Sequence, residues 1–110
     1  MAVVEAGQIS VDEEQIRAFC EKWQIAELAL FGSVLRDDFR PDSDIDVLVT
    51  FKPGDHWRFR DLLTMQEGLA AMFDRDVDFV ERKAVEETRN PFRRKHILEN
   101  ARAVYRAGVA

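Results

Sequence analysis

The stretch FGSVLRDDFRPDSDIDVLVTF, residues 31–51, decides how this chain folds. It opens with a Gly32-Ser33 turn and ends in an apolar, β-branched run that is led by two aspartates, Asp44 and Asp46. Such a run predicts a β-strand. Because side chains at i and i+2 share one face of a strand, the sequence predicts that the two carboxylates lie side by side.

Two neighbouring carboxylates repel each other unless a proton or a cation lies between them. Magnesium takes oxygen ligands, usually one or two carboxylates together with substrate phosphates and water. The Asp44/Asp46 pair therefore indicates a metal site. The alternative is an acidic turn at the start of an ordinary strand.

The Gly32-Ser33 pair follows another apolar stretch, which predicts a strand over about 26–31. Backbone N–H groups exposed where such a strand ends and a short helix begins can hold phosphate oxygens. Glycine allows close approach of the backbone, and Ser33 adds a hydroxyl donor. The alternative is a strand-to-helix turn without a ligand.

A third acid is expected from residues 76–81, which alternate between acidic and apolar side chains and predict another strand. Asp78 has apolar neighbours on both sides, so we expect it within the strand, beside Asp46. Asp76 is closer to the strand start and is expected to be a solvated edge residue.

The pattern Gly-Ser, ten residues, Asp-x-Asp and a later strand aspartate resembles the DNA polymerase β-like nucleotidyltransferases. Within them the chain looks like the minimal, MNT-type members, many of which are antitoxins paired with HEPN-domain toxins. The resemblance covers about residues 25–82. Within this range, Arg36 and Ser43 also match the pattern of the family. One departure is Asp37, where the family often has glycine, but aspartate tolerates unusual turn geometry and the loop is expected to form.

The resemblance implies a site for two Mg²⁺ ions and for ATP as substrate. The implied metal-binding and catalytic residues are Asp44, Asp46 and Asp78. Those implied to contact the nucleotide are Gly32, Ser33, Arg36 and Ser43. A guanidinium suits phosphate, but the alternative for Arg36 is a salt bridge to a neighbouring aspartate.

Composition fits one compact domain, expected to span residues 1–110. The net charge of −5 disfavours long nucleic acid as a partner, since proteins that grip it are usually basic. The chain has a single cysteine, Cys20, and no visible secretory signal, which leads us to expect a cytoplasmic protein. We also expect no membrane span, because no apolar run reaches about 20 residues.

Periodicity predicts an α/β (α+β) fold in the order αβαβαβα, with a small mixed sheet flanked by helices. Ser10 is expected to open the first helix through a capping box, and Asp55 is a candidate cap for the second. Asn90-Pro91 predicts the start of the last helix. The predicted helices cover about 11–23, a short turn from Ser33, 56–73 and 90–105, and the predicted strands cover about 26–31, 45–51 and 76–81.

Two further features have competing interpretations. His56 and Trp57 can stack on a nucleotide base or serve as half-buried packing. The basic cluster on the last helix can contact phosphates or an acidic partner, or it can be a solvated helix face. Its members are Arg89, Arg93, Arg94, Lys95 and His96.

The sequence and the resemblance together predict transfer of AMP from ATP to a hydroxyl, typically of a tyrosine, on a partner HEPN toxin. From the length of the chain we expect no second domain that holds a substrate, so a protein acceptor that brings its own binding surface fits best. Two alternatives stay open: an antitoxin that neutralises its toxin by binding alone, and a transferase acting on a small molecule such as an aminoglycoside. The sequence also leaves a homo-oligomer open.

Overall fold

The computed structural model describes the backbone of residues 3–6 and, with their side chains, residues 9–35, 40, 43–54 and 57–108. Predictions that concern Arg36, Asp37, Asp55 and His56 lie outside these residues. The elements are β1 (Val3–Ala6), β2 (Ile9–Asp12), α1 (Glu13–Lys22), β3 (Ile25–Phe31), a 3₁₀ turn (Gly32–Leu35), β4 (Ile45–Phe51), α2 (Phe59–Phe73), β5 (Val77–Glu81), α3 (Arg82–Glu86), α4 (Pro91–Asn100) and β6 (Arg102–Arg106).

Four strands form the central sheet, in the order β5-β4-β3-β6. The β3–β4 and β3–β6 pairs are antiparallel, and β4–β5 is parallel. The predicted mixed sheet with flanking helices is therefore confirmed. β1 and β2 form a separate antiparallel hairpin, which the sequence did not lead us to expect.

The sheet buries apolar side chains on both faces. One face, here called the large-core face, packs against α1 and α2. Its residues from β4 are Ile45, Val47 and Val49, as the alternation predicted. On the opposite face, here called the small-core face, Leu48 packs with Val85 of α3 and Ile97 of α4. A strand covered on two sides reads as a continuous apolar run, which explains the Val47-Leu48-Val49 sequence.

Helix starts follow local capping chemistry. Asn90 caps α4 as predicted, accepting hydrogen bonds from the backbone N–H groups of the second and third helical residues. The predicted Ser10 cap is wrong, because Ser10 lies in β2 and the Asp12 carboxylate accepts the backbone N–H groups of Glu14 and Gln15 in α1. Helix α2 begins at Phe59, three residues later than predicted.

The predicted last helix is wrong in its second half. Helix α4 ends at Asn100, Ala101 is extended, and the chain continues as β6 along the free edge of β3. The spacing of Ala101, Val104 and Tyr105 fits a helical stripe, yet Val104 is buried as a strand residue in the large core. Tertiary pairing with β3 satisfies backbone groups that would otherwise form an open sheet edge. Gly108 therefore follows a strand and not a helix.

Among the described residues, no helix is long and apolar enough to span a membrane.

Candidate active site

Two of the three predicted acids lie next to each other in the sheet. Asp46 of β4 is the register partner of Asp78 of β5, and Phe31 at the end of β3 is its partner on the other side. Neighbouring strands are about 4.8 Å apart, and paired residues point to the same face. The expectation that Asp78 lies beside Asp46 is confirmed. Both carboxylates lie on the small-core face, two residues before Leu48 and Val80 respectively.

Gly32 brings the backbone against one of these carboxylates. Its φ of +79° lies in the left-handed region, and a Cβ built on it would overlap Oδ2 of Asp46 and lie 3.1 Å from its Cγ. Only glycine fits both constraints. The buried side chain of Val34 anchors the 3₁₀ turn that follows, in which Ser33 is half-buried. The turn after β3 is therefore fixed beside Asp46 by sterics as well as by chain connectivity.

Asp44 occupies a different position from the other two acids. It precedes β4 and is exposed, so it lies outside the hydrogen-bond ladder of the sheet. Asp76 is exposed too, and its carbonyl accepts the N–H of Ile45 at 2.9 Å, which joins the starts of β4 and β5. Asp76 therefore lies before the strand, as expected of an edge residue.

The donor set can be tested against the implied Mg²⁺ by its chemistry. Asp44 and Asp78 are exposed and Asp46 is half-buried, so the three carboxylates are hard oxygen groups that are at least partly accessible to solvent. Such partial exposure fits an ion that keeps several water ligands and is completed by phosphates. In the part of the chain that the structure describes, no three or more His, Cys, Asp or Glu side chains form a metal-binding group. The three-acid metal site therefore stays a prediction.

Ser43, predicted to contact the nucleotide, helps to shape the loop before β4. Its Oγ accepts the backbone N–H of Arg40 at 3.0 Å, and its own N–H donates to the Arg40 carbonyl at 3.0 Å. Because the hydroxyl can still donate, a phosphate contact remains a prediction, now with a structural role beside it.

Arg75 is a residue that sequence reasoning missed. Its Nη1 donates to the carbonyl oxygen of Arg40 at 2.8 Å and to that of Ser43 at 3.4 Å. Arg75 lies three residues before Asp78, while the loop it holds leads directly into Asp44. One side chain thus connects two acid-bearing segments. A bulky cation just before an acidic strand was the signal in the sequence, but these two carbonyl partners are over 30 residues away.

Trp57 packs away from the acids. Its ring makes an edge-to-face contact with Trp23, at 5.2 Å between centroids, and lies 6.4 Å from Phe51. Phe51 is five residues along β4 from Asp46, roughly 17 Å at about 3.3 Å per residue. For Trp57 the packing interpretation is confirmed.

The small mixed sheet carries two aspartates that are register partners, and a glycine turn lies against one of them. Nucleotidyltransferases with the polymerase β-like fold have this arrangement. The chain belongs to the nucleotidyltransferase domain family, whose profile matches residues 12–104. The resemblance drawn from the Gly-Ser and Asp-x-Asp pattern is thereby confirmed, and the protein is a nucleotidyltransferase.

Individual relatives agree with this membership. The protein named "Putative protein adenylyltransferase MJ1379", from Methanocaldococcus jannaschii, is 31% identical over 80 residues, which cover 73% of this chain and 77% of the relative. A second protein of that organism, "Putative protein adenylyltransferase MJ0128", is 33% identical over 81 residues, covering 73% of this chain and 76% of the relative.

Solved structures share the fold. A crystal structure of a toxin-antitoxin with AMP-PNP superposes with a TM-score of 0.65 at 19% identity, covering 89% of this chain and 76% of the other. The complex of a tri-AMPylated Shewanella oneidensis HEPN toxin with its MNT antitoxin has a TM-score of 0.54 at 19% identity, covering 84% of this chain and 68% of the other.

Proposed function

We propose that this nucleotidyltransferase moves AMP from ATP onto a hydroxyl, typically a tyrosine hydroxyl, of a partner HEPN-domain toxin, and so acts as its antitoxin. The register pairing of Asp46 with Asp78 beside the Gly32 turn is the observation that carries the proposal. The names of the two Methanocaldococcus relatives support protein as the acceptor, and the toxin-antitoxin structures support the kind of partner.

In this proposal the acceptor oxygen forms a bond to the α-phosphorus, the bond from that phosphorus to the β-phosphate oxygen breaks, and pyrophosphate leaves. Asp78 accepts the proton of the attacking hydroxyl. The backbone of the turn from Gly32 to Ser33 holds the triphosphate oxygens, where N–H donors match developing negative charge. Phosphoryl-type transfer needs mostly positioning and charge neutralisation, which fixed strands and turns supply.

Asp44, Asp46 and Asp78 would hold Mg²⁺ in the proposed site. When bound, such ions neutralise phosphate charge and stabilise the entering and leaving oxygens. Ser43 and Arg36 are proposed as further nucleotide contacts.

The proposal is tested by incubating the protein with ATP labelled at the α-phosphate, Mg²⁺ and the product of the neighbouring gene, which the proposal expects to be a HEPN protein. We expect label on the HEPN protein. Asp46→Asn and Asp78→Asn should each abolish labelling while thermal unfolding stays that of a folded domain, because the substitution removes charge but keeps shape. Asp76→Asn is the matched control, an exposed aspartate just before the same strand, and it should label normally.

Three results would speak against the proposal. Absence of label from the HEPN protein with a folded wild-type enzyme would remove the acceptor. Protection of cells by the Asp46→Asn variant would favour neutralisation by binding alone. Transfer to an aminoglycoside by the isolated chain would favour a small-molecule acceptor.

A further inference from the structure

The basic cluster at the start of α4 lies on the same side of the sheet as the paired acids. Helix α4 buries Ile97 against the small-core face, the face that carries Asp46 and Asp78. Helix α2 packs through Leu69 on the large-core face. A protein whose hydroxyl reaches Asp78 therefore approaches the side that α4 covers and not the side that α2 covers.

Phe92 is the most exposed large apolar residue among the described ones, with 84% of its surface accessible. It follows Pro91 at the start of α4, and basic side chains flank it at Arg89 and Arg93. A single exposed apolar residue needs no explanation, but an aromatic ring between arginines has the composition of an interface anchor.

Three cations of this cluster take part in no ion pair that the described residues form. They are Arg89, Arg93 and Lys95, and all three are exposed. No acid occurs from Thr88 to Leu98, although the chain as a whole carries −5. Cations near a helix N-terminus oppose the helix dipole, so they do not serve the stability of α4. By contrast, Arg94 donates to the Thr88 carbonyl at 3.2 Å and has a local structural role.

A groove of about 130 Å³ lies on the small-core side, between β5 and the start of α4. Its lining residues are Val80, Ala84, Val85, Thr88, Arg93 and Ile97. Val80 is the next residue after Asp78 on the same strand face, roughly 6.6 Å further along β5 at about 3.3 Å per residue. One end of the groove therefore lies two residues beyond Asp78 along β5, and its lining includes Arg93 of the basic cluster.

We propose that Arg89, Phe92 and Arg93, with the groove beneath them, form the docking surface for the acceptor protein. This inference rests on the proposed function and adds the surface through which the partner binds. The partner that fits is a protein with an acidic patch and an apolar recess for Phe92, placed so that its hydroxyl lies at Asp78. The acidic character of the whole chain disfavours nucleic acid as the occupant, because its phosphates would meet repulsion beyond the patch.

Two triple variants with equal changes in charge test the surface. The first is Arg89→Glu/Phe92→Ala/Arg93→Glu. The matched control is Arg58→Glu/Phe59→Ala/Arg60→Glu at the start of α2, where Phe59 is 76% exposed on the opposite side of the sheet. Each triple is combined with Asp46→Asn, so that modification of the partner cannot alter binding.

Affinity for the partner protein of the labelling experiment, the product of the neighbouring gene, is measured by titration calorimetry. We expect the α4 triple to weaken binding by roughly 30-fold or more and the α2 triple by less than about threefold, since central aromatic and arginine anchors dominate interfaces. The loss should shrink at higher salt, because part of it is electrostatic. In the wild-type background both triples should bind MgATP equally, which shows an intact nucleotide site.

Equal affinities of the two triples would overturn the inference. So would tight binding of a fluorescein-labelled single-stranded RNA that only the α4 triple loses, or self-association in sedimentation that only this triple abolishes. The two proposals fail separately. If the wild type labels nothing but the α4 triple still loses the partner, docking stands without catalysis. If labelling persists and both triples bind alike, catalysis stands without this surface.

Discussion

Replacing Gly32 by alanine tests the geometry on which the candidate site depends. At φ +79° an L-residue lies in the left-handed region, which costs about 1–2 kcal/mol. The new Cβ would also overlap the carboxylate of Asp46, and turning that side chain away from its rotamer costs about 0.5–1.5 kcal/mol more. Together the substitution should lower the free energy of unfolding by about 1.5–3.5 kcal/mol, which leaves a typical domain folded.

Two other glycines isolate the second of these effects. Gly54 and Gly108 have φ of +92° and +77°, and a Cβ on either would meet no atom within 4 Å. Their alanine variants should therefore show the backbone cost alone in denaturant titrations. In the AMP-transfer assay only Gly32→Ala should fail, by roughly 100-fold or more, since displacement of a catalytic group by about 1 Å has that effect. If all three variants transfer AMP alike, the close approach of Gly32 to Asp46 has no catalytic importance.

Three further predictions concern single side chains. Arg75→Ala should destabilise the domain by about 1–2 kcal/mol, because two backbone carbonyls lose their hydrogen-bond donor. Amide hydrogen exchange in the loop before β4 should also become faster. Exchange at the wild-type rate would contradict this prediction. Burial, with a smaller effect of the Glu21 charge, raises the pKa of the Cys20 thiol to about 12. Ellman's reagent should therefore label Cys20 near pH 8 only after unfolding. Because the unfolded thiol ionises at its ordinary pKa of about 8.5 and the folded thiol does not, stability should fall as the pH rises from about 9 towards 12. Asp46→Glu should lower the initial rate of AMP transfer more than Asp44→Glu, because Asp46 lies on a paired strand and Asp44 lies outside it. A lower rate for Asp44→Glu than for Asp46→Glu would refute this.

Much of the site could be predicted because its signals are local. The run that forms β4 has the predicted bounds, since β-branched residues between a turn and a proline-glycine loop leave little choice. The i, i+2 alternation placed Asp46 opposite the apolar residues that pack in the large core. The alternation of acidic and apolar side chains over residues 76–81 predicted a strand with Asp78 beside Asp46, and the strand register confirms it.

The predictions failed where distant parts of the chain decide the structure. The residues of β6 are compatible with a helix by themselves, and only pairing with the edge of β3 makes them a strand. The contacts of Arg75 join positions 35 and 32 residues apart. Ser10 and Asp12 are both capping residues by type, and strand pairing in the hairpin selects Asp12 by keeping Ser10 extended.

The division of the acids between strand and loop follows from how β4 is covered. Large-core packing of Ile45 and Val47 holds the backbone on either side of Asp46, so that its carboxylate is carried by a rigid element. Helices α3 and α4 cover Leu48 on the other face, while Asp46 stays half-buried, so that part of its surface is accessible to solvent. Asp44 has no such support from the sheet, and the loop before it is held by Arg75, which comes from the segment leading into Asp78. The position of Asp44 thus depends on the segment that leads into Asp78, and a substitution at residue 75 should disturb the site although Asp44, Asp46 and Asp78 are unchanged.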